Sequence, residues 1–531
     1  MNHHHIPRRR FLKTGAFALA GYAITNADIL RSLATRSEPI DAIVIGSGFG
    51  GAVAALRLAQ AGIHTLLLER GRRWILTEEQ NTFSTLRTPD SRSWWLNSSC
   101  VPIFGNIEPL VSYAHTGIVE ILAEKGIAVL AGAGVGGGSL VYSAATYQPT
   151  RTNFDRVFQG AISYDEMAQV YYPRVRSILK PSPIPADILA SDYYRLTRVF
   201  LEEAANAGLP AKLLDMNLNW DVVRQEITRE RVPSAIAGEF LYGNNSGCKN
   251  SVDRNYLLQA EQTGFVEILP LHIVTDIYEM PESGYAVVCN QIDEDANVLQ
   301  KLIFTSKHVF LAAGSMGTTK LLVKAKAKGT LPKLNDAVGN FWGNNGDTLG
   351  LQVGLSPTNP SQGGPLSAVV EDHANPLAPI ALQPFPVWKE TRQDHLYLLG
   401  FGIGSPKGRF QFNPLTDSVQ LTWPILNPKI VQLRQATLKT YYTLNQANTN
   451  STYQPKTAEV LDEVTLHPLG GAILGKVCDF YGRIKGYEGL YVVDGAMIPG
   501  YAGCVNPSLT IAALAERCVE RIIAEDNIGN K

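Results

Sequence analysis

Short apolar runs that stop at glycine recur along the chain, separated by stretches of helical spacing. Ala42 to Ile45 is the first, ending in Gly46-Ser47-Gly48. Its length and lack of alternation predict a strand buried on both faces. Gly51 then opens a helical pattern, Ala52-Val53-Ala54-Ala55-Leu56-Arg57-Leu58-Ala59, and a second strand is predicted at Thr65-Leu66-Leu67-Leu68-Glu69. Residues 151 to 246 read mainly as helices, such as Ser191 to Ala207. Strands resume at Phe265 to Leu269 and Ile273 to Ile277, both rich in β-branched residues. Tyr285 to Cys289 and Leu302 to Thr305 predict a meander. His308 to Ser315 reads as another core strand ending at glycine, which returns the chain to the first sheet before a helix from Gly317 to Lys326. From Asn344 to Thr422 the pattern alternates and turns often, predicting a second, antiparallel sheet. Residues 427 to 447 read as helix and 448 to 456 as loop. Near the end come a strand, Leu490 to Gly495, and a helix, Ser508 to Glu525.

The first strand, helix and strand form a βαβ unit with a G-x-G-x-x-G fingerprint. Gly46 allows the tight turn, Gly48 lets backbone amides approach a pyrophosphate, and Gly51 lets the helix pack on the strand. The free N–H groups of the helix N-terminus then face phosphate charge. Glu69 ends the second strand eighteen residues after Gly51, where a carboxylate can accept hydrogen bonds from an adenosine ribose. A second glycine run, Gly134-Val135-Gly136-Gly137-Gly138-Ser139, lets backbone lie close to a flat ring or phosphate. Its apolar flanks, Ile127 to Leu130 and Leu140-Val141, argue against a flexible linker, because such linkers are polar on both sides.

The 531 residues suffice for two or three domains and a large core. Lys and Arg number 47 against 48 Asp and Glu, and no basic stripe suggests nucleic acid. Six cysteines, Cys100, Cys248, Cys289, Cys478, Cys504 and Cys518, are far apart and read as buried thiols rather than a metal site or disulfide frame. Pro7-Arg8-Arg9-Arg10-Phe11-Leu12-Lys13 and the moderately apolar stretch Thr14 to Ile24 predict a twin-arginine export signal, with Ala27 and Ala34 both candidate cleavage points. His3-His4-His5 falls inside that removable leader and is assigned no metal. The polar and aromatic stretch from Arg70 to Gly105 reads equally as a covering loop or a surface connection.

The C-terminal block holds the candidate chemistry. His467 directly precedes Pro468, which biases it towards an extended conformation, and Gly470-Gly471 follow. Asp494 stands at the edge of the last strand. Asn506-Pro507 leads into the final helix, so the Asn506 side chain can point into a cleft. A lone histidine is more often structural, but this one shares a block with a second nucleotide-type strand.

Gly46 to Gly51 with Glu69, the run at 134–139, Ala312-Ala313-Gly314-Ser315 and the His467…Asn506-Pro507 pair together resemble the glucose–methanol–choline (GMC) family of flavin oxidoreductases. His467-Pro468-Leu469-Gly470-Gly471, Leu474-Gly475-Lys476, Tyr481-Gly482-Arg483 and Leu514-Ala515-Glu516-Arg517 are most similar to its sterol-oxidising members. Tyr242 to Asn245, Gly329 to Pro332 and Gly339 to Gly346 match more loosely. The resemblance implies an α/β fold, with a Rossmann-like FAD-binding domain and a second α+β substrate domain built on an antiparallel sheet. The FAD-binding domain would comprise 38–150, 247–343 and 465–531, the substrate domain 151–246 and 344–464, with 1–36 the export signal. It implies non-covalent FAD held by Gly46, Gly48, Phe49, Gly50, Gly51, Glu69, Gly138, Ser139, Val274, Asp494 and Gly495. His467 would hold the substrate hydroxyl, and Asn506 would sit beside flavin and substrate oxygen. The implied reaction oxidises a cholesterol-like 3β-hydroxysteroid to the ketone, with dioxygen reduced to hydrogen peroxide; the alternative is a GMC oxidase or dehydrogenase acting on a different apolar alcohol. The implied partners are that alcohol, dioxygen, the twin-arginine machinery and a membrane surface touched transiently to extract sterol, with a periplasmic or secreted location. Three positions depart from the sterol-oxidising pattern: Tyr142 replaces an asparagine, Ala145 a methionine, and Ala381 the glutamate that isomerises the product. A shift of alignment would bring Glu371 or Glu390 to that role.

Overall fold

The computed structural model describes residues 40–96, 115–280, 284–353, 357–359, 362–363, 366–387, 391–448 and 463–529, with the backbone of Ala34–Thr35 and Lys456–Val460. The expected export signal, apart from the backbone of Ala34–Thr35, lies outside the described residues, as do Cys100 and Glu390.

Five parallel strands form the first sheet, in the order Leu490–Val492, His308–Leu311, Ala42–Ile45, Thr65–Leu68, Val266–Leu269. Strands Ala42–Ile45 and Thr65–Leu68 are buried at every position, which explains their unbroken apolar runs. Helix Phe49–Gln60 packs beside helices Ser508–Glu525 and Tyr256–Gln262. Glu516, fully buried, accepts from Arg57 Nε at 2.6 Å and from the Tyr256 hydroxyl at 2.9 Å, so one carboxylate ties all three helices. The turn into helix Phe49–Gln60 admits no side chain at two positions. Gly46 has φ +98°, and a Cβ there would lie 2.3 Å from the Ala312 carbonyl oxygen; at Gly50 it would lie 1.9 Å from that of Val493.

The expected meander is antiparallel, with Val298–Ser306, Gly284–Ile292 and His272–Met280 as neighbours, and Ala34–Thr35 parallel at its edge. Helix Gly314–Lys328 starts three residues before the sequence pattern does. The reason is a cap from far along the chain: Asp494 accepts from Gly314 N–H at 2.8 Å and from the Thr318 hydroxyl at 2.5 Å.

The second sheet is antiparallel, in the order Lys456–Val460, Thr348–Val353, His395–Gly402, Ile380–Phe385, Ala368–Asp372, Ala211–Leu213. One face, including Val370, Leu382 and Leu398, packs on helices Arg195–Asn206 and Pro428–Ala447. The opposite face, including Val369, Ala381, Leu399 and Phe401, joins the core of the parallel sheet. Alternate residues of one strand therefore serve two cores. Two hairpins flank this junction, Val119–Glu124 with Ile127–Gly132 and Arg409–Asn413 with Ser418–Thr422. Cys248, Cys289, Cys478, Cys504 and Cys518 are buried free thiols. Among the described residues no helix is long and apolar enough to cross a membrane.

Candidate active site

A cavity of about 480 Å³ opens at the carboxyl ends of the parallel strands, where open α/β sheets bind ligands. The loops after Ile45, Leu68, Leu311 and Val492 form one wall, and Leu366 and Leu399 belong to the opposite one. Gly46, Gly48, Phe49, Gly50 and Glu69 line it, as do Gly138, Val274, Asp494 and Gly495. His467 and Asn506 line the same cavity. Gly51 and Ser139 lie behind its wall. A Cβ on Gly51 would lie 2.0 Å from the Gly46 carbonyl oxygen, and Ser139 Oγ donates to Gly136 O at 2.7 Å while accepting from Val252 N–H at 3.0 Å.

The two glycine loops lie backbone against backbone: a Cβ on Gly137 would fall 2.7 Å from Gly48 Cα. Gly48 and Gly138 themselves face open space, with no atom within 4 Å of a Cβ built on either. Ser47 joins the loops to Glu69. Its hydroxyl donates to Glu69 Oε2 at 2.6 Å and accepts from Gly136 N–H at 2.9 Å, while its own N–H donates to the same Glu69 oxygen at 3.0 Å. Gly71 N–H fills Oε1 at 2.9 Å. A carboxylate offers about four lone-pair sites, so Glu69 retains room for a ribose hydroxyl. This cradle of exposed backbone, helix N-terminus and acid fits a dinucleotide. Phe49 and Tyr142 meet edge to face at 5.3 Å beside it. The Tyr142 hydroxyl accepts from Asn217 Nδ2 at 2.7 Å, and its carbonyl accepts from the buried Lys249 ammonium at 2.8 Å. Burial pulls Lys249 down to about 7, although carbonyls of Leu140 and Phe240 complete its three acceptors.

His467 Nδ1 lies 2.9 and 3.0 Å from the two carboxylate oxygens of Asp347, whose side chain is wholly buried. The Phe401 ring packs on the imidazole at 5.3 Å. Asn506 Oδ1 accepts from Gln383 Nε2 at 2.8 Å, and Asn506 Nδ2 is buried with no partner among the described residues. Asn345 steadies the preceding turn, donating to Val505 O and accepting from Ala502 N–H, both at 2.9 Å. Sequence reasoning missed Ser47, Asp347, Gln383 and Asn345. Asp347 directly follows the glycine- and asparagine-rich stretch that resembles the family, but nothing local points it at His467.

Asp494 presents to the cavity a carboxylate with both oxygens hydrogen-bonded, since Ala496 N–H occupies the oxygen that helix Gly314–Lys328 does not. Burial pushes its carboxyl up to about 6, against the pull of these hydrogen bonds. A carboxyl raised in the fold contributes stability that is complete below its unfolded value near 3.8 and is lost as pH rises through about 6. Asp494→Asn abolishes that titration. Its melting temperature relative to the parent should therefore shift in the variant's favour between about pH 4 and pH 7. A pH-independent offset would contradict the assignment.

The sequence profile of GMC oxidoreductases matches residues 40–328, and that of their C-terminal part matches residues 427–515. The chain belongs to the GMC oxidoreductase family. Members of that family bind FAD and act on alcohols, and the cradle described above has the composition such a cofactor needs. This GMC oxidoreductase is 26% identical to a cholesterol oxidase of Mycobacterium tuberculosis over 90% of either chain. It is also 26% identical to a cholesterol oxidase of Acinetobacter baumannii, over 92% of this chain and 95% of the other. In fold it matches pyridoxine 4-oxidase from Mesorbium loti with a TM-score of 0.65, at 15% identity, covering 92% of this chain and 99% of that one.

Proposed function

We propose that this GMC oxidoreductase oxidises the secondary alcohol of a cholesterol-like 3β-hydroxysteroid to the ketone. One observation carries the reading: Asn506 Nδ2 is a buried donor with no partner among the described residues, on the wall of the cavity that His467 also lines. Such an orphan costs about 1–3 kcal/mol unless a ligand oxygen satisfies it. A hydroxyl between the two groups donates its proton to the imidazole and accepts from the Asn506 amide. As the C–H bond breaks, the amide holds the charge growing on oxygen. FAD, when bound, supplies the hydride acceptor and is reoxidised by dioxygen to give hydrogen peroxide. Phe240, Leu241, Leu366 and Leu399 add apolar surface to the cavity, as a sterol requires, and the named relatives of similar length support that substrate class.

Isomerisation of the product is not part of this proposal. Ala381 pairs with Glu371 across adjacent strands, so both side chains leave the same face of the sheet. Glu371 nevertheless belongs to another cluster, accepting from the Tyr147 hydroxyl and pairing with Lys212 at 2.7 Å. Burial alone would raise its carboxyl, but Lys212 and Tyr147 outweigh it and hold the group below the ordinary carboxylate value.

A panel of sterols and simple alcohols, scored for peroxide release, tests the substrate. Peroxide from cholesterol supports the proposal, whereas turnover confined to other alcohols favours the second reading, an oxidase of a different apolar alcohol. The presence of Tyr142 on the cavity wall, where sterol-oxidising members have asparagine, is the observation behind that second reading. Non-covalent FAD and twin-arginine export belong to the same proposal. The expected protein is yellow, exported, and loses its colour to the supernatant on acid precipitation. Flavin retained by the pellet contradicts the first expectation, and confinement to the cytoplasm the second.

A further inference from the structure

We propose that Asp347 is the positioning residue that decides which ring nitrogen of His467 carries the proton, and so makes Nε2 an acceptor for an alcohol hydroxyl. The inference rests on the alcohol-oxidising reading above and goes past it to a residue outside the cavity wall.

Asp347 Oδ2 accepts from the Thr465 hydroxyl at 2.8 Å and from the Leu466 N–H at 3.0 Å. Its other oxygen, Oδ1, takes only His467 Nδ1, at 2.9 Å; the same nitrogen lies 3.0 Å from Oδ2, which already holds two donors. A carboxylate only accepts, so Nδ1 must hold a proton, and in the neutral ring Nε2 then carries the lone pair. Nε2 makes no hydrogen bond among the described residues. The ring cannot turn away freely, since Phe401 packs on it and the His467 N–H is tied to Thr465 Oγ1 at 2.9 Å. When Nε2 takes the hydroxyl proton, the resulting imidazolium already faces a buried carboxylate, which compensates its charge without any rearrangement.

The same geometry specifies what asparagine would do at this position. The Leu466 backbone N–H can only donate, so the place of Oδ2 must remain an acceptor. In Asp347→Asn the amide oxygen is held there, and the –NH₂ takes the place of Oδ1, facing His467 Nδ1. The amide oxygen, also near Nδ1, already holds two donors, so the –NH₂ facing Nδ1 favours a lone pair on that nitrogen and with it the ring proton on Nε2. The substitution is close to isosteric, yet it reverses the hydrogen-bonding sense of the imidazole towards the substrate.

Nitrogen-15 histidine spectra of the FAD-loaded protein read the tautomer directly, with the His467 signals identified by their loss in His467→Gln. The expected result is Nδ1–H in the parent protein and Nε2–H in Asp347→Asn. Rapid mixing of Asp347→Asn with an alcohol that reduces the parent should show reduction slowed by about 10²-fold or more, the scale expected when a base is held in the wrong tautomer. FAD content and alcohol affinity should stay within a few-fold of the parent, which separates positioning from structural damage. Nε2–H in the parent overturns the inference whether or not the variant folds. So does a variant that reduces its flavin at the parental rate. If no alcohol reduces the parent, the functional reading falls while the spectra still decide the tautomer.

Discussion

His467→Ala slows reduction of bound FAD by a factor on the order of 10² or more, with the flavin still in place. The cavity wall loses its proton acceptor, but nothing in the glycine cradle depends on the imidazole. The groups that hold Gly46 to Gly50 and Gly134 to Gly138 in register are Ser47 and Glu69, across the cavity floor. Asn506→Ala should behave alike, because its Nδ2 is a buried donor left unfilled among the described residues, and removing a preorganised donor to a growing oxyanion costs about 10²–10³ in rate. Rapid mixing under anaerobic conditions, with the visible flavin band as readout, measures both variants. A parental rate in His467→Ala would remove that residue from the chemistry. Loss of FAD from either variant would instead mean that the block is structural.

The second expected result is a product mixture. Oxidation of cholesterol yields a 5-en-3-one whose C4 protons are acidified by the carbonyl and the double bond. Conjugation requires a base that takes a proton from C4 and returns it at C6, work suited to a carboxylate with a raised pKa. Ala381 is fully buried and offers no acceptor. Glu371, one strand away, is held as a carboxylate by Lys212 and Tyr147, and its low basicity suits it poorly to the task. Of the other acids at the cavity, Glu69 and Asp494 each already accept three protein hydrogen bonds, and Glu120 pairs with Arg70 at 2.6 Å. The unconjugated enone should therefore accumulate, with conjugation at least about 10²-fold slower than peroxide release. Chromatography of the steroid at early times decides. Conjugated product appearing as fast as peroxide means that a base is present, and Glu371→Gln then shows whether that residue supplies it.

Much of this was legible in the chain because it is local. Ala42–Ile45 and Thr65–Leu68 announce themselves by unbroken apolar runs, and the glycines between them by spacing. Helix Ser508–Glu525 begins where Asn506-Pro507 places it. What escaped is built across distance. Strand Ala211–Leu213 is three residues long, exposed or half-buried, and exists only because Ala368–Asp372 offers an edge. The start of helix Gly314–Lys328 is set by Asp494, far along the chain. Asp347 and His467 are 120 positions apart, and Gln383 and Asn506 are 123 apart. No window of sequence contains either pair, so periodicity and motif spacing could name one member and not its partner.

The central claim is that one cavity brings bound FAD, His467 and Asn506 to the hydroxyl of an apolar secondary alcohol. Anaerobic mixing of the purified protein with cholesterol tests it most directly. The account predicts that the visible flavin band bleaches in a single turnover and returns when air is admitted, with hydrogen peroxide released. A flavin that stays oxidised with cholesterol, and with every other apolar alcohol offered in its place, would contradict it.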